Sequence, residues 1–264
     1  TTWSVNAPVI EPGIGPDPNY SLNFDGVDDY VLIPDSDELD GMNSLSIQIW
    51  LNFYSYSDYE SEQKGYTMLS KTETPSSESD NNLIRSYEIS TSHDEHRLSF
   101  GMRTENGEVG ASIWDYQSLI DLNTWYNLTV VYDGSEIKMY LNGALVADGA
   151  YHTGSIINTD YPIHIAKALG NNETADFNGK TDEIRIWSIA LTQEEIQDNM
   201  STVLNGDENG LVGYWNFNTG TGDTLYDHSA NENHGPIYGA IWSDDAPTLD
   251  QPIIASEGNL SLSL

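Results

Sequence analysis

The sequence predicts an all-β sandwich with one short helix, and three observations predict it. Residues 44–51, SLSIQIWL, alternate: Leu45, Ile47, Ile49 and Leu51 fall on one face, and Ser46, Gln48 and Trp50 on the other. Farther on, Asp133-Gly134 and Asn142-Gly143 separate three more apolar runs, at 128–132, 136–141 and 144–147. Both dipeptides favour positive φ, so two hairpins follow one another as a meander on an antiparallel sheet. Only one helix is well signalled. Thr192 caps it, Glu195 completes a capping box, Leu191 and Ile196 form a hydrophobic staple, and the helix ends near Met200. Its acidic first turn complements the helix dipole.

At 264 residues the chain is long enough for one large sandwich with a substantial core. Forty-two acidic residues against nine basic ones give a net charge of −33, which disfavours nucleic acid and anionic membranes as partners. The same charge suits a salty extracellular medium. With no cysteine, disulfides, thiolate metal sites and cysteine nucleophiles are excluded. A secreted animal module would more often carry disulfides, so a bacterial secreted or surface-attached protein is expected. No apolar run reaches the ~18 residues of a membrane span, and no charged-then-apolar leader opens the chain, which therefore reads as a mature or excised fragment.

Residues 1–19, with Pro8, Pro12, Pro16 and Pro18 among Gly13 and Gly15, lack periodicity and read as a linker or extended arm; residues 247–264 read likewise. TTWSVNAP at 1–8 echoes AIWSDDAP at 240–247. Either the first is the tail of a preceding tandem repeat, or the similarity is chance.

Four blocks occur in order: FDGVDDYVLIP (24–34), TWYNLTVVYDGSEIKMYLNGALV (124–146), FNGKTDEIRIWSIALTQEEI (177–196) and GLVGYWNFNTGTGDTLYDHSANENHG (210–235). Together they resemble a laminin G-like domain, over roughly residues 20–246. The resemblance implies a concanavalin A-like jelly roll of two antiparallel sheets that binds glycans or proteins rather than performing chemistry. In many family members a sequence like the last block opens the domain, whereas here it follows the helix. It either closes this domain as a terminal strand or belongs to a neighbouring copy.

The first and third blocks pair glycine-bearing turns and carboxylates with alternating strands, which suggests two neighbouring strands presenting acids at one sheet rim. Calcium takes six to eight oxygens, usually at turns, and Asp25, Asp28 and Asp29 around Gly26 offer such a turn. The resemblance implies a structural calcium at the rim, carried here onto Asp25 and Asp182, with Asp28 and the Gly26 backbone as further ligands. The alternative is a solvated acidic turn. Zinc is disfavoured because the histidines show no paired ligand spacing; His93 and His96 beside Asp94 suit a solvated loop better.

Glycosidases on related jelly rolls carry acids at alternating positions of one strand. Glu38-Leu39-Asp40 comes nearest, but no third acid follows it, and Asp182-Glu183 are adjacent and so are expected on opposite faces. No Gly-x-Ser-x-Gly elbow, His-Glu-x-x-His or phosphate loop is present, so a binder is favoured over an enzyme.

For ligand binding the candidates are Trp114 and Tyr116, aromatics outside the family blocks with polar neighbours, and Arg85 and Arg103, with Tyr87 among them. Trp50, Trp125, Trp187 and Trp215 read as structural. Arg85, Arg97 and Arg103 stand close together in a chain poor in cations, as a site for sulfate or carboxylate would require, although pairing with Glu88, Asp94, Glu95 and Glu105 explains each equally. The tyrosine-rich stretch 53–66 is a second candidate edge. The expected function is a non-catalytic carbohydrate-binding module in a multidomain secreted protein, holding a catalytic partner near a neutral, anionic or sulfated polysaccharide. An adhesion or protein-interaction repeat is the alternative, and a glycan-cleaving enzyme a more distant one.

Overall fold

Alternation of apolar with polar or small residues sets most of the strands, and the two hairpin dipeptides turn with Asn142 at φ +48, Gly143 at +74 and Gly134 at +92. The computed structural model describes residues 19–57, 65–73, 84–92, 96–169 and 174–249. The proline-rich start, the 1–8 half of the echo, residues 58–64 of the tyrosine-rich stretch, His93, Asp94, Glu95 and residues 250–264 lie outside the described residues.

In chain order the first strands are β1 (Ser21–Asp25), β2 (Tyr30–Ile33), β3 (Leu45–Phe53), β4 (Gly65–Thr72), β5 (Arg85–Ser92), β6 (Arg97–Thr104) and β7 (Gly107–Trp114). Then come β8 (Trp125–Tyr132), β9 (Ile137–Leu141), β10 (Ala144–Asp148), β11 (Ile163–Ile165), β12 (Thr174–Asp176) and β13 (Asn178–Trp187). After the helix α1 (Gln193–Met200) follow β14 (Leu211–Trp215), β15 (Thr224–Leu225), β16 (Gly235–Tyr238) and β17 (Ile241–Ser243). The first sheet runs β10-β9-β8-β3-β13-β1-β17, with β14 also on β13. The second runs β15-β16-β2-β11-β4-β5-β6-β7, with the short β12 parallel to β4. This is the antiparallel two-sheet sandwich expected.

The inward positions of the two sheets form one core. Leu45, Ile47, Ile49 and Leu51 of β3 meet Tyr87, Ile89, Leu98, Phe100 and Met102 of the opposite sheet in a single buried cluster. Val131, Tyr140, Trp187, Leu191, Ile196, Leu204, Leu211 and Tyr214 form a smaller cluster beneath α1, on the outer face of the first sheet. The capping box closes as predicted: Thr192 N donates to Glu195 Oε2 at 2.7 Å, and Glu195 N to Thr192 Oγ1 at 3.3 Å.

The last block completes this domain. Its β14 pairs with β13, and β16 and β17, which begin at its end and just beyond it, pair with β2 and β1, so this stretch enters both sheets. Trp215 is fully buried and donates to Asn233 O at 3.0 Å. Asp227 accepts the backbone N–H groups of Tyr214, Ser229 and Asn233, each at 2.8 Å, which folds the segment back on itself. Among the described residues no helix is long and apolar enough to cross a membrane.

Candidate functional site

The outer face of β5, β6 and β7 carries a candidate binding surface. On β6 the inward residues are Leu98, Phe100, Met102 and Thr104, which leaves Arg97, Ser99, Gly101 and Arg103 outward. β7 presents Glu108, Gly110, Ser112 and Trp114 in direct register with Arg103, Gly101, Ser99 and Arg97. These four cross-strand rows extend about 20 Å along the hairpin. At one end the Arg97 guanidinium lies 5.1 Å from the Trp114 ring centroid, and Trp114 is 63% exposed. Next, the hydroxyls of Ser99 and Ser112 are 2.9 Å apart. Then Gly101 and Gly110 leave the sheet bare, flooring a trough of about 350 Å³ that Arg85 and Glu108 flank.

Three of the predicted ligand residues therefore share one surface. Arg85 and Arg103 point outward with 41% and 43% of their side chains exposed, and each meets a local acid: Glu88 at 3.1 Å and Glu108 at 3.9 Å. Tyr87 and Tyr116 do not join them, because both rings are fully buried. Period-2 reasoning puts Arg85 and Tyr87 on one face, but β5 carries an extra residue between the pairs Thr72–Arg85 and Lys71–Tyr87. That bulge at Ser86 sends Arg85 out while Tyr87 turns in and donates to Leu39 O at 2.8 Å. Tyr116 follows Asp115, whose φ of +51 breaks the strand and folds the ring inward to Ser57, 3.2 Å away. Both tyrosines are core residues. Arg97, expected in the cationic cluster, joins this surface at the Trp114 end; the outward glycines went unpredicted, although the alternation Arg97, Ser99, Gly101, Arg103 stands in the sequence.

The acidic turn forms differently from the expectation. Carboxylate oxygens of Asp25, Asp28 and Asp29 converge within 4.8 Å of one another. Asp25 Oδ1 accepts Val27 N at 2.8 Å, and Asp29 Oδ2 accepts Asp25 N at 2.9 Å. Gly26 makes the turn at φ +78. Burial, reinforced by the neighbouring carboxylates, raises the Asp29 pKa. Asp182 is not in this group. β1 and β13 are neighbours as expected, but antiparallel, so Asp25 pairs with Asn178 and Asp182 lies four residues farther along, roughly 13 Å away.

Residues 25–197 match a laminin G family whose description is the concanavalin A-like lectin/glucanases superfamily. The chain belongs to that superfamily. Pappalysin-1 of Mus musculus is 29% identical over 107 residues, and that of Homo sapiens 27%; the matched stretch is 40% of this chain but 6% of either relative. A candidate carbohydrate-binding protein from Bacteroides ovatus shares the fold at a TM-score of 0.62 and 17% identity, over 89% of this chain and 61% of that one.

Within this laminin G-type sandwich neither acid pair considered for catalysis stands as two exposed carboxylates. Asp40 is buried and ion-paired to Lys71 at 3.2 Å, while Glu38 faces solvent. The other pair needs correcting. β13 bulges between Asp182 and Arg185 with Glu183 at φ +52, so the two acids come together instead of facing opposite ways. Both are fully buried; Glu183 is held by Arg185, which also donates to the carbonyls of Asn199 in the last turn of α1 and of Thr202 just beyond it. Burial, and then the Glu183 charge, push the Asp182 pKa well up.

Proposed function

We propose that this laminin G-type domain is a non-catalytic carbohydrate-binding module, working in a secreted, multidomain, bacterial protein, and that it takes polysaccharide along the trough on β5–β7. The observation carrying this reading is the exposed Trp114 under Arg97, in line with a floor from which side chains are missing. A sugar ring stacks on the indole through its apolar face, the bare glycine backbone lets the chain lie close, and Arg85 and Arg103 reach hydroxyl, carboxylate or sulfate groups at the far end. The fold shared with the Bacteroides ovatus protein is consistent with it. Affinity electrophoresis on a panel of neutral, uronate and sulfated polysaccharides, with product analysis, tests the reading. Retardation that Trp114→Ala abolishes supports it; absence of retardation on every gel, or release of oligosaccharides, overturns it.

We further propose that the turn of Asp25, Asp28 and Asp29 holds a structural calcium. The fit rests on the three converging carboxylates and on the bare approach of Gly239, where a Cβ would stand 2.0 Å from Asp29 Oδ1.

A further inference from the structure

The outer face of the first sheet carries a second polar row, away from the trough. Trp125 on β8, Asn52 on β3, Lys180 on β13, Asn23 on β1 and Ile241 on β17 stand in direct register across five strands. One carboxylate closes over part of it. Lys180 Nζ donates to Asp245 Oδ2 at 2.6 Å, and Trp125 Nε1 donates to Asp245 Oδ1 at 3.1 Å. The two oxygens are thus held by an ammonium and an indole N–H, which is the donor set a carboxylate receptor needs. The ring of Tyr54 lies 5.8 Å from the same ammonium.

Two further features do not suit a mere clasp for the C-terminal segment. The backbone there is already pinned, since Ser21 Oγ donates to Asp245 O and Asn19 Nδ2 to Pro247 O, both at 2.7 Å. The Asp245 side chain, 55% exposed, is therefore able to rotate away without undoing that anchorage. Moreover, the row holds two buried amide oxygens that accept no hydrogen bond from the described residues: Asn52 Oδ1, on a residue 2% exposed between Trp125 and Lys180, and Asn23 Oδ1, on the other flank of Lys180. Buried acceptors without donors are costly, and a hydroxyl is the donor that would satisfy them. A groove of about 500 Å³, lined by Tyr20, Asn23, Tyr54, Lys180, Trp242 and Asp244, adjoins the row.

We propose that this row is a second sugar site, specific for a uronate. The ligand's carboxylate replaces that of Asp245 between Lys180 and Trp125, and its hydroxyls donate to Asn52 Oδ1 and Asn23 Oδ1. A neutral sugar leaves the ammonium to Asp245, and a carboxylate without hydroxyls leaves the amide oxygens unpartnered. The net charge of −33, with Asp244 on the groove rim, opposes a polyanion, so the fitting ligand has single uronates among neutral sugars. Asp245 acts as a built-in competitor for the site.

Calorimetric titration of the full chain with glucuronate- and galacturonate-bearing oligosaccharides, beside their neutral parents, tests this. The uronate ligands are expected to bind at least about tenfold more tightly than the parents, and Asp245→Asn to tighten them by about fivefold or more. Trp125→Phe, which keeps a ring and removes the N–H, weakens them by about tenfold, as does Lys180→Gln; melting curves establish that each variant folds, and Trp125→Phe decides if Lys180→Gln does not. These titrations are run in a Trp114→Ala background, which silences the trough, so that the uronate binding read there belongs to this row. The proposal is overturned if, in that background, Asp245→Asn binds no uronate ligand or the neutral parents bind as tightly as the uronate ligands; loss of neutral-polysaccharide retardation in Trp114→Ala bears on the trough alone.

Discussion

Arg97 and Trp114 are direct cross-strand partners, with the guanidinium carbon 5.1 Å from the indole centroid on the open face of the second sheet. A cation lying over the ring orders the side chain before a ligand arrives, so less rotamer freedom is lost on binding. Trp114→Ala is therefore expected to weaken polysaccharide binding by about tenfold, ~1.4 kcal/mol, while the melting temperature of this 63% exposed position moves little. Affinity electrophoresis beside a melting curve checks both halves.

Gly101 offers a cleaner perturbation of the trough. A Cβ built there meets no atom within 4 Å, so Gly101→Thr is tolerated by the fold and gains β propensity, yet its side chain fills the floor. Retained stability with lost binding is the expected pair of results. Gly110→Thr differs, because a Cβ there comes 2.6 Å from Phe100 O, and it is expected to lower the melting temperature too.

Calcium is expected to raise the melting temperature and chelator to lower it, by the equivalent of about 3 kcal/mol at 100 times the dissociation constant. Asp28→Asn should abolish the calcium response, and Asp182→Asn should not, since Asp182 stands apart from the converging carboxylates. Identical melting curves with calcium and with chelator would exclude the site.

Asp182 itself predicts a pH dependence. Its folded pKa is raised by burial and by Glu183, so its contribution is fully present below the unfolded carboxyl value and is lost as pH rises through the folded one. Asp182→Asn removes that loss, and its melting temperature relative to the parent is expected to climb between acid and neutral pH. Glu183→Gln acts oppositely: it strips Arg185 of its buried carboxylate partner and is expected to cost about 3–5 kcal/mol. Thermal melts across a pH series separate the two.

Truncation after Asn205 removes β14 to β17, exposing the edge of β1, the β14-facing side of β13 and the seat of Trp215. Loss of cooperative melting is expected, and an unchanged transition would place residues 206–249 outside the folding unit.

Much of this domain is legible in its residues. The alternation in 44–51, the Asp133-Gly134 and Asn142-Gly143 turns and the Thr192–Glu195 box each predicted their element because a strand's facing, a positive-φ turn and a helix cap are local consequences of side-chain chemistry. The types and neighbours of Trp114, Arg85 and Arg103 single them out in the sequence, and all three face outward. What the sequence could not decide is where the period of two breaks. The bulge at Ser86 separates Arg85 from Tyr87, and the one at Glu183 brings Asp182 and Glu183 together, because a single extra residue reverses every facing beyond it and is set by the strand alongside. Register is likewise a property of pairs of strands. Only tertiary structure could place Asp182 away from Asp25, Gly101 opposite Gly110, and Asp245 between Trp125 and Lys180, since each depends on how segments far apart in the chain align across a sheet.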